Sequence, residues 1–422
     1  MKILYVSQYF PPEMGAPAAR AAELSKHWVE QGHDVSVLTG FPNHPTGVVP
    51  PAYRKKVWRL VAREQCDGVD VVRTWLLPFP NRRTYERMLN YSSFCVSAAS
   101  TGLFLSRPDV VIATSPQLLV ALSGCWLARC KRVPFVFEVR DLWPESLAAV
   151  GAGKENSILH RSLSKIAGFL YRQCDRIVVV TPAFEDHLVK YWRMPREKIS
   201  VVENGVETQQ FAPQSATELR RELGVQEKFV VSYIGTMGMA HGLETILDAA
   251  AQLQHRSAEI VFLMVGEGAE KDRITALARQ RGLNNVLFID QQAREQVPAY
   301  ISASDVCLVP LRKSELFKTV IPTKMLEFMS CARPVILGVD GQARGIIEEA
   351  RAGLAIEPEN AAALANAICY LAANREIAQE MGWSGREHIV RKFSRRHTAE
   401  KYVHMLEQML GLPESPAKEI AA

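Results

Sequence analysis

The chain has 422 residues, of which 48% are hydrophobic and 23% are charged; this length suits two or three globular domains, and the composition excludes a fibrous or disordered protein. The net charge of +5 is uneven, because residues 1–205 carry 26 Lys+Arg against 18 Asp+Glu and the other residues carry 24 against 27. The asymmetry predicts an anionic surface or substrate for the first half. It argues against nucleic acid, since the excess is modest and no nucleic-acid-reading motif is present.

Apolar, β-rich runs alternate with helical patterns through the first half of the chain. The predicted strands are Lys2–Ser7, Val35–Thr39, Val69–Thr74, Asp109–Ala113, Phe135–Val139 and Ile177–Thr181. The predicted helices between several of them are Ala18–Glu30, Gln117–Arg129 and Asn156–Gln173. Near-continuous apolar strands separated by helices predict a parallel sheet that is covered on both faces.

The same alternation restarts after Glu203–Gly205 and Phe211–Pro213, where we place the hinge between two domains. The predicted strands of the second half are Phe229–Ile234, Ile260–Val265, Val286–Ile289, Val306–Pro310 and Val335–Gly338. Its predicted helices are Leu243–Gln254, Glu270–Arg281, Thr323–Cys331 and Ala361–Ala372, and the chain is almost entirely helical from there to about Leu410. The sequence therefore predicts an α/β protein with two doubly wound domains.

The cysteines and the apolar segments indicate in which cellular compartment we expect the protein. Most of the eight cysteines lie inside apolar runs, which is typical of a reducing compartment. Met1–Val6 predicts a strand rather than a signal peptide. The longest apolar stretch, Tyr91–Leu105, contains Ser and Thr and is too short to span a bilayer. We expect a cytoplasmic protein that at most lies on a membrane.

The loops after two early strands contain candidate ligand residues. The first strand ends in Ser7–Ala16, which lacks the G-x-G-x-x-G of a dinucleotide site, so a dehydrogenase is disfavoured. Gly15 and Ala16 still form a small-residue turn before a helix, where backbone N–H groups point outward; a flexible loop explains them equally well. His44, after another strand, is either a site histidine or a loop histidine without a role.

Two glycine turns follow strands in the second half. Tyr233–Gly242 predicts a strand, a turn containing Gly235 and Gly238, and a helix that begins at Gly242. Such a turn allows close approach of a phosphate, but no G-K-[ST] follows, so it is not a P-loop. Val265–Gly268 forms a second turn. Two such turns at strand carboxyl ends predict a ligand crevice, and ordinary βα turns are the alternative.

A short apolar helix carries two charged residues. Pro322 suits its first turn and Thr323 its cap. Lys324 and Glu327 lie three residues apart, so they share one face of a helix that is otherwise apolar and therefore buried. Either the two side chains form a salt bridge with each other, or the Glu binds sugar hydroxyls and the Lys binds a phosphate.

A second charged pair follows a buried strand of the first half. Arg140 and Asp141 stand at the carboxyl end of Phe135–Val139, where α/β sheets bind ligands; a capping Asp and a surface Arg are the alternative. The sequence has no D-x-D pair that would hold a divalent metal. A phosphate leaving group would then depend on helix termini and on Lys or Arg, and we expect no metal and no other cofactor.

With these motifs the sequence resembles the GT-B-fold, retaining glycosyltransferases of family 4, and among them the bacterial enzymes that build O-antigen, capsule and colanic-acid polysaccharides. The resemblance extends over about Met1–Gln408. The stretches that carry it are Tyr9–Arg20, Gly32–Val35, Val139–Pro144, Asn204–Val206, Pro322–Glu327 and Ala332–Ile336. It implies two Rossmann-like domains facing a cleft: an acceptor-side domain over 1–205, with a helix near 394–411 packing back on it, and a nucleotide-sugar donor domain over 206–393.

The resemblance also implies roles for individual residues. Glu327 should bind the donor ribose hydroxyls, and the first glycine turn should face the diphosphate. The implied catalytic residues are Arg140, Asp141 and Lys324. The implied donor-binding residues are Gly235, Thr236, Gly238, His241, Gly266, Glu267, Gly268, Asp290, Thr323, Lys324 and Glu327. The residues implied near the transferred sugar or the acceptor are Gly15, Arg20 and His44.

The sequence departs from the family pattern at several positions. The first glutamate of the family's two-glutamate motif is Thr319 here. The Arg and Lys that often grip the donor phosphates correspond to about Thr236 and His241. A histidine common in the family aligns with Arg140. We expect Lys324 to replace the missing cation.

The activity implied by the resemblance is a metal-independent, retaining transfer of a sugar from a nucleotide sugar, UDP- or GDP-linked, to an acceptor carried on a polyprenyl diphosphate lipid. Two alternatives remain. One is a nucleotide-sugar epimerase on the same fold. The other is a catalytically silent GT-B subunit that acts by binding, which the loss of the first glutamate and of the phosphate-gripping pair favours.

A lipid-linked acceptor implies contact with the inner face of the plasma membrane. Phe79–Tyr91 and the segment from Lys154 to Ile166 combine basic with apolar residues, a pattern that suits an anionic membrane surface. Half-buried helices with a solvated face are an almost equal alternative. The resemblance favours peripheral attachment.

Overall fold

The computed structural model describes residues 1–13, 15–44, 46–80, 84–115, 117–143, 145, 158–257 and 259–413. The chain forms two compact units. Unit 1 comprises Met1–Asn204 and the segment that begins at Arg395, and unit 2 comprises Gly205–Ser394. The C-terminal helix therefore belongs to the same unit as the N-terminal half of the chain.

The strands of both units are short and mostly buried. They are β1 Lys2–Val6, β2 Asp34–Gly40, β3 Val61–Cys66, β4 Val69–Thr74, β5 Val110–Thr114, β6 Phe135–Val139, β7 Arg176–Val179, β8 Ile199–Val201, β9 Phe229–Ile234, β10 Ile260–Val265, β11 Val286–Ile289, β12 Val306–Pro310, β13 Val335–Gly338 and β14 Gly353–Ala355.

Helices alternate with these strands. They are α1 Ala16–Glu30, α2 Pro51–Val57, α3 Thr84–Leu103, α4 Leu118–Lys131, α5 Ile158–Gln173, α6 Pro182–Trp192, α7 Thr217–Glu222, α8 Glu244–Gln254, α9 Lys271–Gln280, α10 Val297–Ser302, α11 Thr323–Ser330, α12 Gln342–Ala350, α13 Ala361–Ala373, α14 Arg375–Lys392 and α15 Arg395–Leu410. Short 3-10 turns occur at Arg196–Lys198, Met239–His241 and Phe317–Thr319.

The sheet of unit 1 has the order β3-β4-β2-β1-β5-β6-β7-β8 and is parallel except for the antiparallel pair β3–β4. Strand β1 pairs with β2 on one side and β5 on the other. The loops that follow β1 and β5 therefore diverge at this switch point, which is where doubly wound sheets bind ligands.

The sheet of unit 2 is wholly parallel in the order β11-β10-β9-β12-β13-β14. Its strand order reverses between β9 and β12, which again creates a crevice at the carboxyl ends of the strands. Buried apolar residues cover both faces of the sheet. The two α/β units with parallel sheets confirm the fold class that the strand and helix patterns predict.

Most predicted strands of the first half lie within two residues of their observed bounds, but β3, β8, α2 and α6 were not predicted. In β3 (Val61–Cys66) every residue is at least partly exposed, and the polar run of Arg63, Glu64 and Gln65 interrupts its apolar residues. It lies at the edge of the sheet, where one-sided contact removes the continuous apolar signal of a central strand. In unit 2 the short β14 and the helix α12 were missed as well.

Helix α15 packs on α1 within unit 1. Trp28 of α1 is fully buried, and its ring lies 5.1 Å from the ring of Tyr402 of α15 and 5.6 Å from that of Tyr5 in β1. At the start of α15 the Arg395 guanidinium bonds the Glu23 carboxylate of α1 at 2.8 Å. Aromatic packing and a shielded ion pair thus tie the end of the chain to its beginning.

A buried ion pair links α1 to the middle of the sheet. Arg20 donates to Glu138 Oε1 from both Nε and Nη2, at 3.0 and 2.8 Å, and the two side chains are 1% and 0% exposed. Tyr5 donates to the other oxygen of Glu138 at 2.7 Å. Arg20 Nη1 reaches the carbonyl of Glu203 and the side chain of Asn204, each at 3.1 Å. Burial would raise the pKa of Glu138, but Arg20 holds it below its usual value.

Within the part of the chain that the structure describes, every helix is too short or too polar to cross a lipid bilayer.

Arg20→Met should strongly destabilise unit 1, because it leaves the Glu138 carboxylate buried without its counter-ion. Breaking one partner of such a pair costs about 3–5 kcal/mol in free energy of unfolding. The double variant Arg20→Met with Glu138→Met should recover a large part of this loss, since no uncompensated charge remains. Urea unfolding of the three proteins measures both effects. Additive losses in the double variant would contradict the coupling.

Candidate functional site

The two glycine turns of unit 2 are joined by backbone hydrogen bonds at the carboxyl edge of its sheet. Gly235 N–H donates to the carbonyl of Val265 at 2.9 Å, and Met237 N–H donates to that of Glu267 at 2.8 Å. A Cβ at Gly266 would lie 2.1 Å from Gly235 O, and one at Gly268 would lie 2.4 Å from Met237 O. Both residues have positive φ. Glycine is required at these positions for the two turns to pack against each other.

The turn after β9 differs from its predicted form in one respect. The residues Met239–His241 form a 3-10 turn that ends at Gly242, which has φ 56°, and helix α8 begins only at Glu244. The expected helix start at Gly242 is therefore wrong. Gly238 has an ordinary extended conformation. The glycine turn after β9 therefore leads into a 3-10 turn before the first turn of α8.

Lys324 projects from α11 to the turn after β9. Its Nζ donates to the hydroxyl of Tyr233 at 2.9 Å and lies 4.0 Å from the centre of the same ring. A Cβ on Gly235 would stand 2.9 Å from Nζ, so the missing side chain makes room for the ammonium group. The Tyr233 hydroxyl in turn donates to the carbonyl of Thr236 at 2.5 Å. Burial lowers the pKa of Lys324 to about 7, and Glu327 acts in the opposite direction.

His241 lies on the other side of the same tyrosine. Its ring is 5.8 Å from that of Tyr233, edge to face. Burial, together with the positive charge of Lys324, lowers the pKa of His241 to about 3. Its Nδ1 is buried and makes no hydrogen bond to any described residue. The imidazole is therefore neutral, and the positive charge that could face an anion at this turn belongs to Lys324.

Lys324 and Glu327 form no salt bridge with each other, so the structure excludes that one of the two alternatives for this pair. Glu327 Oε1 lies 3.1 Å from Nη1 of Arg294, and the Glu327 side chain is 13% exposed. The Arg294 guanidinium also lies over the ring of Phe211, 4.9 Å from its centre. The apolar residues of α11 are fully buried, which fixes the helix and leaves the two charged side chains at its accessible face.

The start of α11 also departs from prediction. Pro322 occupies the cap position and Thr323 is the first helical residue, without a capping hydrogen bond from its side chain. Thr323 is therefore not the N-cap. Thr319, at the position of the family's first glutamate, ends a 3-10 turn and donates its hydroxyl to the carbonyl of Leu316 at 2.6 Å.

A third cation joins two predicted donor residues. Lys271 at the start of α9 forms ion pairs with Glu267 and, at 2.5 Å, with Asp290. Asp290 is 87% exposed at its side chain, and Glu267 is 47% exposed. The arrangement places the two carboxylates side by side at the edge of β10 and β11. The sequence analysis did not single out Lys271, Arg294 or Tyr233, because only the fold brings them beside the predicted residues.

In unit 1 the predicted pair follows β6 at the carboxyl edge of the sheet. The backbone N–H groups of Arg140 and Asp141 donate to Ser115 Oγ, which follows β5, at 2.7 and 3.3 Å. Burial raises the pKa of Asp141 to about 6, and Arg140 opposes the shift. The two side chains thus lie beside the switch point between β1 and β5.

The loops after β1 and β2 form a polar cluster at the same edge. Glu13 Oε1 accepts from the backbone N–H groups of Asn43 and His44 at 2.9 and 3.0 Å, and Glu13 is 7% exposed. Burial raises the pKa of Glu13 to about 7. The His44 ring packs 4.7 Å from that of Tyr9, and burial lowers its pKa. Gly15 is the cap residue of α1. Sequence reasoning named Gly15 and His44 here but missed Glu13.

Arg20 is not part of this cluster's accessible surface. Its side chain is buried, and its guanidinium is engaged by Glu138, by two backbone carbonyls and by Asn204. The expectation that Arg20 faces the sugar or the acceptor is therefore wrong. A charge on an apolar helix face needs a buried partner, and here the protein supplies that partner itself.

Across the described ranges of the chain, no group of three or more His, Cys, Asp and Glu side chains is arranged to hold a metal ion.

Each of the two units matches a model of a known glycosyl transferase family. A model described as "Glycosyl transferase 4-like domain" matches residues 15–205, and one described as "Glycosyl transferases group 1" matches residues 215–388. The chain is 26% identical over 413 residues to WcaI of Escherichia coli (strain K12), a protein named as a colanic acid biosynthesis glycosyl transferase; the match covers 93% of this chain and 98% of WcaI.

Two solved structures share the fold over nearly the whole chain. The sucrose-phosphate synthase from Thermosynechococcus elongatus superposes with a TM-score of 0.76 at 20% identity, covering 97% of this chain and 99% of that one. HepE from Anabaena, in complex with UDP-glucose, superposes with a TM-score of 0.71 at 18% identity, covering 97% and 100%. At this level of identity the likeness establishes the fold, which is GT-B.

Lys324 makes the stability of unit 2 depend on pH. Because its pKa falls from the usual 10.5 to about 7, the unfolded chain holds this proton more tightly than the folded one. The charge therefore costs stability below about pH 7, and the cost vanishes as the pH rises toward 10.5. Lys324→Met should gain stability relative to wild type at low pH and lose that gain as the pH rises.

The measurement is urea unfolding at a series of pH values. The matched control is Lys313→Met, which removes an exposed lysine of the same unit whose pKa is raised by Glu357. A difference between wild type and Lys324→Met that does not change with pH would show that Lys324 titrates normally.

Proposed function

Because this chain belongs to the group 1 glycosyl transferases, we propose that it transfers a sugar from a nucleotide-sugar donor bound by unit 2 to an acceptor bound by unit 1. The observation that carries the proposal is the placement of Lys324, whose Nζ lies over Tyr233 and against Gly235 at the carboxyl edge of the sheet of unit 2. A desolvated ammonium group beside a glycine turn suits the diphosphate of a nucleotide sugar.

The proposed reaction breaks the bond between the anomeric carbon and the diphosphate oxygen and forms a bond to an acceptor hydroxyl oxygen, whose proton leaves with the diphosphate. Negative charge then develops on the leaving oxygen. Lys324 is positioned to stabilise that charge, and an anion beside it restores the protonation that burial disfavours. Preorganised charge of this kind supplies a large share of catalysis in water-poor sites. We propose retention of configuration and assign no covalent nucleophile.

Glu327 is the proposed partner of the donor ribose. Its carboxylate is 13% exposed and one oxygen lies 3.1 Å from Arg294, so the side chain is held in one place. A carboxylate accepts hydrogen bonds from two neighbouring hydroxyl groups without reorganisation. Asp290 and Glu267 both form ion pairs with Lys271. We propose that the base of the nucleotide binds beside this group.

The comparisons support finer features of the proposal. HepE binds UDP-glucose, which supports a nucleotide-sugar donor, and we propose a UDP- or GDP-linked sugar. WcaI is named for colanic acid synthesis, which favours a role in making a surface polysaccharide. An acceptor carried on a polyprenyl diphosphate fits such a role and fits the positive charge excess of residues 1–205.

Glu327→Ala should weaken nucleotide-sugar binding about 10- to 100-fold, since a hydrogen bond to a charged group contributes about 1.5–3 kcal/mol. Calorimetric titration with UDP-glucose measures the change. Glu348→Ala, which removes an exposed carboxylate of α12 paired with Arg344, should leave the affinity unaltered. Unchanged affinity in Glu327→Ala, with a folded protein, would refute the donor-helix assignment.

The decisive experiment for the function is to measure release of nucleoside diphosphate from a panel of nucleotide sugars, with and without a polyprenyl-diphosphate-linked saccharide, in the presence of EDTA. A transferase releases the diphosphate and lengthens the saccharide. An epimerase changes the sugar without releasing the diphosphate, and a silent subunit does neither. Activity that EDTA abolishes and Mg²⁺ restores would refute the metal-independent mechanism.

Membrane attachment is proposed through the N-terminal halves of α3 and α5, which lie at the carboxyl edge of the sheet of unit 1. Tyr85 and Leu89 on α3 are 55% and 45% exposed, and Arg161 and Lys165 on α5 are exposed. Basic and apolar residues on one surface suit an anionic bilayer. Leu163 is buried and faces the core instead; Arg82, Arg83 and Lys154 lie outside the described residues.

Replacing Tyr85 and Leu89 by Ser, and Arg161 and Lys165 by Glu, should abolish co-sedimentation with anionic liposomes at low salt. Wild-type binding should itself weaken as salt is added, because surface charge is screened.

The matched control removes exposed aromatic residues outside the proposed surface. Phe104, just after α3, is 87% exposed and Trp126 on α4 is 54% exposed. Changing both to Ser should leave liposome binding intact. Equal loss in the control, or no binding by wild type, would refute attachment at the proposed surface.

A further inference from the structure

The guanidinium of Arg140 is a buried cation without an ion-pair partner among the described residues. Its Nε and Nη1 are buried and make no hydrogen bond to any described residue, and its backbone N–H donates to Ser115 Oγ. Leaving a charged donor buried and unpaired is costly. A protein keeps such a group only where something else supplies the missing charge.

The acidic groups nearby offset only part of this cost. Both oxygens of Glu138 are already bonded, one by Arg20 and the other by Tyr5. Asp141 forms no ion pair with Arg140, and burial raises the Asp141 pKa. Burial lowers the pKa of Arg140 and the positive charge of Arg20 adds to the effect, while Glu138, Tyr5 and Asp141 act in the opposite direction without cancelling it. The surroundings of Arg140 thus disfavour its charged form in the free protein.

Arg140 also lies where unit 1 would hold a ligand. It directly follows β6, and Ser115, which anchors its backbone, directly follows β5. Strand β5 borders the switch point at β1, so the unpaired guanidinium stands at the crevice of this sheet. Arg140 as a whole residue is partly exposed. Two of its three guanidinium nitrogens, Nε and Nη1, are the ones that are buried without a hydrogen bond.

We propose that Arg140 binds an oxyanion of the acceptor, so that this enzyme recognises an acceptor by a negatively charged group. The inference rests on the proposed function, because it takes unit 1 to be the acceptor-binding unit. A guanidinium offers two parallel N–H donors that match a carboxylate or a phosphate, and it keeps its charge where an amine would lose it. Two groups share this chemistry: the carboxylate of an acidic sugar and the phosphate of a lipid diphosphate.

The first test is the stability of the free protein. Arg140→Met removes a charge that has no partner, so its melting temperature should equal or exceed that of wild type. The matched control is Arg73→Met, which removes a buried arginine of the same unit that is bonded to Glu64 and to the carbonyl of Gly40. The control should melt well below wild type. A comparable fall in Arg140→Met would show that Arg140 is structural and would overturn the proposal.

The second test is anion binding, measured in a Lys324→Met background so that the diphosphate site of unit 2 does not contribute. The probes are geranyl diphosphate, a soluble polyprenyl diphosphate, glucuronate, and neutral glucose as control. At least one anionic probe should bind, Arg140→Gln should weaken it about 10- to 100-fold, and Arg140→Lys should fall between. Tight binding of geranyl diphosphate assigns the phosphate, and that of glucuronate the carboxylate.

The outcomes separate the inference from the proposed function. No binding of either anion, or equal binding by Arg140→Gln, overturns the inference. Binding of UDP-glucose by the wild-type protein is measured in parallel. Loss of nucleotide-sugar binding with intact, Arg140-dependent anion binding would refute the transferase and leave the anion site standing.

Discussion

The buried pair of Arg20 and Glu138 is the constraint on which the sheet edge of unit 1 depends. It connects α1 to β6, engages β1 through Tyr5, and holds the last residues before unit 2 through Asn204. A pair of this kind is specific rather than strongly stabilising, because desolvation offsets much of the attraction. Its geometry uses both oxygens of Glu138, and Arg140, two residues further on, forms no ion pair with a described residue.

Both units present a desolvated cation at the carboxyl edge of a parallel sheet. In unit 2 it is Lys324, held over Tyr233 with its pKa lowered by burial; in unit 1 it is Arg140. Each charge is unfavourable in the free protein and becomes favourable beside an anion. Binding sites commonly contain residues that lower the stability of the free protein. A two-substrate reaction with an anionic donor and an anionic acceptor would employ both.

The structure shows what surrounds the residues that depart from the family pattern. His241, near the position of a phosphate-gripping residue, is neutral, and Thr319 has its hydroxyl turned to a backbone carbonyl. Charged groups close to the glycine turns include Lys324, Glu327 with Arg294, Lys271 with its two carboxylates, and Arg312, whose backbone N–H donates to the carbonyl of Ala240. The proposed donor site therefore relies on a cation from α11 instead of one from the turn after β9.

The sequence by itself determined the α/β class, the restart of the pattern near Asn204, and five of the six strands of unit 2. It also identified Arg140, Lys324 and Glu327 as charged residues at strand ends or on a buried helix. These follow from local periodicity and from the cost of charge on an apolar face. Only the tertiary structure decided the partners: Tyr233 for Lys324, Arg294 for Glu327, and Glu138 for Arg20. Those contacts join residues 33 to 118 positions apart, and spacing along a chain carries no information about which distant side chain will neutralise a buried charge.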